Sequence, residues 1–197
     1  MTGHLVVIGS SWGGLAALTS LLTPLPNDFS APIVVVQHRS RHADSLLAKL
    51  LQDATSLRVF DAEDKEPLEA GNVYLAPANY HLLVETDYLS LTTDPLVRFS
   101  RPSIDVTFNS VADSFRAAAI GVVLTGANDD GSRGLRCIID NGGRGLIQDP
   151  SSAESRTMPA AATAAVPEAE VLPLEAIPRR LVAMIASGKS PAKKGTA

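Results

Sequence analysis

Leu5-Val6-Val7-Ile8-Gly9-Ser10-Ser11-Trp12-Gly13-Gly14 is the stretch that decides the fold. Its first four residues are apolar and mostly β-branched, as in a buried strand, and Leu15-Ala16-Ala17-Leu18 after the glycines opens a helical pattern. A strand that turns sharply on glycines into a helix begins a parallel α/β sheet. Side chains at such a turn stand over a helix N-terminus, whose free N–H groups stabilise negative charge. Here the turn offers a serine, in the spacing Gly9-x-Ser11-x-Gly13 of a nucleophile elbow.

The same alternation continues along the chain. Strands are expected at Ile33–His38, Leu57–Phe60, Asn72–Ala76, Gly121–Leu124 and Gly145–Gln148, with an edge strand at Glu170–Leu172. Helices are expected from Asp44 to Leu51, Ile104 to Ala117, Gly131 to Asp140, Pro159 to Ala165 and Leu174 to Ala186. His81–Val84 and Tyr88–Leu91, joined through Thr86-Asp87, read as a β-hairpin that breaks the pattern. The fold class is therefore α/β: three layers, α/β/α, around a mostly parallel doubly wound sheet with one hairpin. Residues 1–187 form one domain in this reading, and 188–197 a disordered tail.

Composition narrows the function. A net charge of −4, spread along 197 residues, argues against nucleic acid as the ligand. The one basic cluster, Lys189, Lys193 and Lys194, reads as a solvated end. No apolar run approaches the ~20 residues of a membrane span, and the start lacks the basic flank of a signal peptide. The single cysteine, Cys137, allows no internal disulfide or cysteine-based zinc site, and in its helical pattern it reads as a small buried residue. The expected compartment is the cytoplasm.

In a parallel sheet, chemistry gathers outside the carboxyl ends of the strands. Ser11, His38, the run Thr125-Gly126-Ala127-Asn128-Asp129-Asp130-Gly131, and Asp149-Pro150 all follow strands. If those strands are neighbours, a serine, a histidine and an aspartate converge. A serine hydroxyl needs a histidine to accept its proton, and the histidine needs a carboxylate to fix its tautomer. A histidine side chain, whose unperturbed pKa lies near working pH, suits the base, and His38 offers one. Asp129 and Asp130 are both candidates for the acid, and one of them is expected to cap the helix starting near Gly131. Taken singly, Ser11 could be an N-cap hydroxyl and His38 a core histidine. The glycines do not make G-x-G-x-x-G, and no Walker lysine follows. His4 and His42 carry no signal, and His81 reads as structural. The order Ser, His, Asp differs from the Ser, acid, His of ordinary α/β-hydrolases.

Six blocks together resemble one family, the catalytic domain of the chemotaxis protein-glutamate methylesterases (CheB type). They are Ile8–Gly14, Val36-Gln37-His38, Tyr74–Pro77 with His81-Leu82, Arg101-Pro102-Ser103-Ile104-Asp105, Leu124-Thr125-Gly126 with Asp130-Gly131, and Gln148-Asp149-Pro150. They occur in family order over nearly the whole chain to about Ile185. The resemblance implies Ser11 as nucleophile, His38 as base and Asp130, before its glycine, as acid. It implies the Ala127 N–H as an oxyanion donor, and the Trp12 N–H at the helix start is a second candidate by geometry. Ala127-Asn128 stands where the family has methionine-glycine, Trp12 replaces a small hydroxyl residue, and Thr157 replaces a glycine. Typical members begin with a receiver domain, whereas the first catalytic strand here starts at Leu5.

The implied activity is demethylation of glutamate γ-methyl esters on chemoreceptor cytoplasmic helices, with deamidation of receptor glutamines by the same machinery. No metal or organic cofactor is required, and the substrate is expected to enter an open cleft. A separate receiver-domain or kinase partner would supply regulation, and no membrane insertion is implied. The alternatives are a non-catalytic receptor- or partner-binding module of the same fold and a small-ester hydrolase.

Overall fold

A computed structural model describes residues 3–40 and 46–187. The expected start of the second helix, His42 and the expected disordered tail lie outside the described residues. Strands β1 (Leu5–Ser10), β2 (Ile33–Gln37), β3 (Arg58–Asp61), β4 (Asn72–Leu75), β7 (Ala119–Val123), β8 (Arg144–Gln148) and β9 (Glu170–Leu172) form one parallel sheet, in the order β3-β4-β2-β1-β7-β8-β9. The chain winds outward from β1 to one edge, returns to pair β7 on the other side of β1, and winds outward again. The winding therefore reverses at β1, where an α/β sheet opens its crevice.

Alternation along the strands explains the two covering layers. Leu5, Val7, Val34, Val36 and Ile147 face one core, under α3 (Ile104–Phe115), α4 (Ser132–Asp140) and α5 (Thr157–Ala165). Val6, Ile8, Ile33, Val35 and Leu146 face the other, under α1 (Gly14–Leu22), α2 (Leu46–Gln52) and α6 (Ile177–Ser187). Because both faces are covered, the strands read as continuous apolar runs rather than alternating ones.

The hairpin is β5 (His81–Val84) with β6 (Leu89–Thr92), separate from the main sheet. It docks on α3, where the Thr107 hydroxyl donates to the Leu82 carbonyl at 2.7 Å and the Val84 N–H donates to Ser110 Oγ at 2.9 Å.

Helix ends account for the differences from expectation. The third helix stops at Phe115 and tightens into a 3₁₀ turn over Arg116–Ala118. The fifth begins at Thr157, which leaves Pro159 in the first turn, where a missing N–H costs nothing. The last begins as a 3₁₀ turn, Leu174–Ala176, before α6. Cys137 is only partly buried against the core. Among the described residues, no helix is long and apolar enough to cross a membrane.

Candidate active site

Strand register sets the site. Gly9 of β1 lies opposite Val36 of β2 and Val123 of β7, and Ser10 lies opposite Gln37. The next residue on each chain therefore leaves the sheet at the same edge. Ladder-type bonds continue one step further: the His38 N–H donates to the Ser10 carbonyl at 3.0 Å, and the Ser11 N–H donates to the Thr125 carbonyl at 3.0 Å. Gly13 then turns the chain with φ 77°, a left-handed conformation that disfavours any residue with a Cβ, and α1 begins.

Ser10 and Ser11 are distinguished by burial. Ser10 is fully enclosed, its hydroxyl donating to Gln37 Oε1 at 2.6 Å. Ser11 lines an open cleft of about 960 Å³ together with Trp12, Gln37, His38, Ala127 and Glu154. Gln37 Nε2 also donates to the carbonyls of Ser11 and His38, each at 2.9 Å. One side chain thus ties the elbow to the histidine strand. The glutamine's place, a polar residue ending an apolar run, was the available signal for this role.

His38 Nε2 lies 2.8 Å from Asp130 Oδ2. A carboxylate only accepts, so Nε2 carries the proton and Nδ1 presents its lone pair. Asn128 Nδ2 approaches that Nδ1 at 3.4 Å, while Asn128 Oδ1 accepts the Asp130 N–H at 3.1 Å and so fixes which way the amide points. The sequence does not disclose which ring nitrogen faces the acid, nor that Asn128 sits against the other.

Asp130 is fully buried and heavily bonded. Besides His38 it accepts the Ser103 hydroxyl at 3.1 Å and the N–H groups of Ile104 and Asp105 at 2.7 and 2.9 Å. Burial pushes its carboxyl up, but the His38 hydrogen bond and the Asp105 and Ile104 N–H groups outweigh that and hold it below the usual range. The expectation that Asp129 or Asp130 would cap the helix after Gly131 holds only in part: Asp130 Oδ1 accepts the Gly131 N–H at 3.1 Å. The same carboxylate also caps the start of α3. The start of α4 is served in addition by Asp105 of α3, whose Oδ1 accepts the Gly131 and Gly134 N–H groups, each at 2.8 Å. The two helices thus exchange carboxylate caps. Burial, reinforced by the Asp130 charge, pushes the Asp105 carboxyl up despite those two N–H groups.

The remaining sequence candidates fall into place. Asp129 is exposed and pairs with Arg98. Asp149 accepts the Ser151 N–H at 2.8 Å in its own turn, whereas the carboxylate bonded to His38 is that of Asp130. His81 is buried and structural, its Nε2 facing the Pro95 carbonyl at 3.1 Å and its Nδ1 accepting the Ser103 N–H at 3.2 Å. His4 bonds the Ala118 carbonyl. Ala127 and Trp12 both line the cleft, and Trp12 is 68% exposed. Among the described residues, no group of three or more His, Cys, Asp or Glu could hold a metal.

Ser11 and His38 share a cleft, with Asp130 behind the histidine, where a doubly wound sheet reverses its winding, the place where an α/β hydrolase carries its chemistry. Comparison with known proteins refines that class. The family model for CheB methylesterase matches residues 6–181, and the chain belongs to that family. A Leptospira interrogans protein, provisionally named protein-glutamate methylesterase/protein-glutamine glutaminase, is 43% identical over 178 residues, covering 90% of this chain and 92% of that one. A Pseudomonas fluorescens protein-glutamate methylesterase/protein-glutamine glutaminase is 43% identical over 183 residues, covering 92% of this chain and 54% of its own length. The crystal structure of the Thermotoga maritima CheB methylesterase catalytic domain superposes with a TM-score of 0.91 at 33% identity, over 94% of this chain and 100% of that one.

Proposed function

We propose that the chain is a serine esterase that hydrolyses glutamate γ-methyl esters on the cytoplasmic helices of chemoreceptors, and that it deamidates receptor glutamines with the same groups. The observation that carries this reading is the His38–Asp130 pair beside the open cleft of Ser11. Membership of the CheB methylesterase family supports the substrate class.

In the reaction, His38 Nδ1 accepts the Ser11 hydroxyl proton as Oγ attacks the ester carbonyl. Asp130, bonded to Nε2–H, stabilises the imidazolium that forms. The oxyanion rests on the Ala127 and Trp12 N–H groups. Collapse breaks the bond to methoxide, which leaves as methanol with the proton from Nδ1. Water then gives its proton to Nδ1 and its oxygen to the acyl carbon, and Ser11 leaves with the proton returned. Glutamine follows the same path with ammonia as leaving group. A receptor substrate places the enzyme in the cytoplasm.

Methanol release from methylated receptor cytoplasmic fragments tests the proposal, comparing the unaltered protein with Ser11→Ala and His38→Gln. Release by the unaltered protein that falls at least about 10³-fold in both variants is expected. Equal release in all three would remove the triad from the mechanism. Silence of the unaltered protein on fragments it binds would remove the esterase reading, and turnover of free esters alone would point to a small-ester hydrolase.

A further inference from the structure

Val97 and Ser100 bond each other twice, Val97 N–H to the Ser100 carbonyl at 3.1 Å and Ser100 N–H to the Val97 carbonyl at 2.9 Å. Arg98 and Phe99 form the two-residue tip between them, with φ of 50° and 66°. Positive φ at both central positions is the requirement of a type I′ turn, which favours Asn-Gly because any larger side chain crowds the backbone there. Arginine and phenylalanine are poor choices for it. The phenylalanine also gains nothing inside the chain, since it is 97% exposed. A strained tip that displays an aromatic ring to solvent is unrewarded by the fold, and such sites concentrate at ligand clamps.

Its position supplies the reward. Phe99 lines a cavity of about 190 Å³ whose wall also includes His38, Arg39, Arg101 and Pro102. That cavity and the Ser11 cleft share His38, so Phe99 borders a cavity that adjoins the cleft. The tip is braced as well. Arg98 pairs with Asp129, the neighbour of Asp130, and Arg101 donates to the Thr93 and Asp94 carbonyls and to Asn79 Oδ1. The Arg101 bonds all go to neutral oxygens, so its charge is left for an acidic neighbour.

We propose that the Val97–Ser100 turn is a substrate-holding finger, in which Phe99 packs on the polypeptide surface that carries the ester. The segment it fits is apolar at the contact, with a carboxylate alongside for Arg101. This deepens the esterase reading above and rests on it. The finger holds the protein substrate, whereas a small ester reaches Ser11 without touching it.

Phe99→Gly makes the test. It keeps the Arg98–Asp129 pair and gives the turn a residue suited to positive φ, so a merely structural turn would be improved by it. For methanol release from a methylated receptor fragment, KM is expected to rise about tenfold with kcat within about twofold, because a phenyl ring's contact area is lost. Kinetics on p-nitrophenyl acetate and the melting temperature should hold or, for the latter, rise. Phe99→Leu should restore most of the affinity. An unchanged KM in Phe99→Gly, with the unaltered protein active on the fragment, overturns the finger alone. Equal losses on both substrates overturn it too, because the turn would then act on the triad. An unaltered protein that turns over p-nitrophenyl acetate but not the fragment overturns the esterase reading and this inference with it.

Discussion

Gln37 does no chemistry in the proposed reaction, yet its carboxamide alone spans the Ser10 hydroxyl and the carbonyls of Ser11 and His38. Replacing it with alanine leaves the sheet ladder intact, including the His38 N–H to Ser10 carbonyl bond, and removes the side-chain tie between the elbow and the histidine strand. Misplacement by about 1 Å can cost roughly 10²-fold in rate. Gln37→Ala is therefore expected to lower kcat on a small ester by about that factor while circular dichroism reports an unchanged fold; an unaltered kcat would show that the ladder positions the pair unaided. At this scale the sequence was legible where residue type and spacing place a side chain, as at Ser11 and His38, which line one cleft. It was silent where orientation decides. Nothing in the spacing says that Nε2 rather than Nδ1 faces Asp130, and Phe99 in an unremarkable loop gives no hint of its positive φ.

At the scale of elements, the exchange of caps between α3 and α4 requires the helices to approach closely. Gly134 allows this: a Cβ there would lie 2.4 Å from the Cβ of Phe108 and 3.1 Å from the Asp105 Cα. Alanine is the better helix former by about 1 kcal/mol, so propensity alone favours Gly134→Ala. The steric term should win, because relief demands moving backbone that holds both caps. The variant is expected to lose about 1–3 kcal/mol in urea denaturation, and a gain would show that the helices separate freely. The elements themselves were readable from periodicity, and their misplaced ends lie where 3₁₀ turns and first-turn prolines blur the pattern. The capping partners were only half legible, for a physical reason. The aspartate before Gly131 takes the Gly131 N–H as a local cap would, but the same carboxylate also reaches across to a different helix, which spacing does not disclose.

For the molecule as a whole, the two buried aspartates pull the acid dependence of stability in opposite directions. The folded-state pKa of Asp130 is depressed, so its contribution is present above the ordinary aspartate value of about 3.9 and is lost as pH falls through the lower folded value. That of Asp105 is raised, so its cost appears as pH rises from the unfolded toward the folded value. Asp105→Asn leaves the Asp130 slope alone, and stability should climb more steeply with pH than in the unaltered protein. Asp130→Asn leaves the Asp105 slope, and the trend should flatten or reverse. Urea titrations across about pH 3–6 read both tilts, and parallel curves would show that the pair does not govern the acid limb. The sheet order was only partly legible: alternating runs imply parallel strands, but which neighbour β7 takes depends on contacts between distant segments.

The Asp130 carboxylate anchors a helix, whereas the contacts that fix Ser11 are made by its backbone. The two positions would therefore drift differently in a descendant released from catalysis. Loss of the hydroxyl would cost the fold little and could spread unopposed, while loss of the carboxylate would be purged for stability alone. A relative that keeps the aspartate has thereby declared nothing about its trade; one that keeps the serine has retained the hydroxyl that the proposed reaction uses and the fold does not.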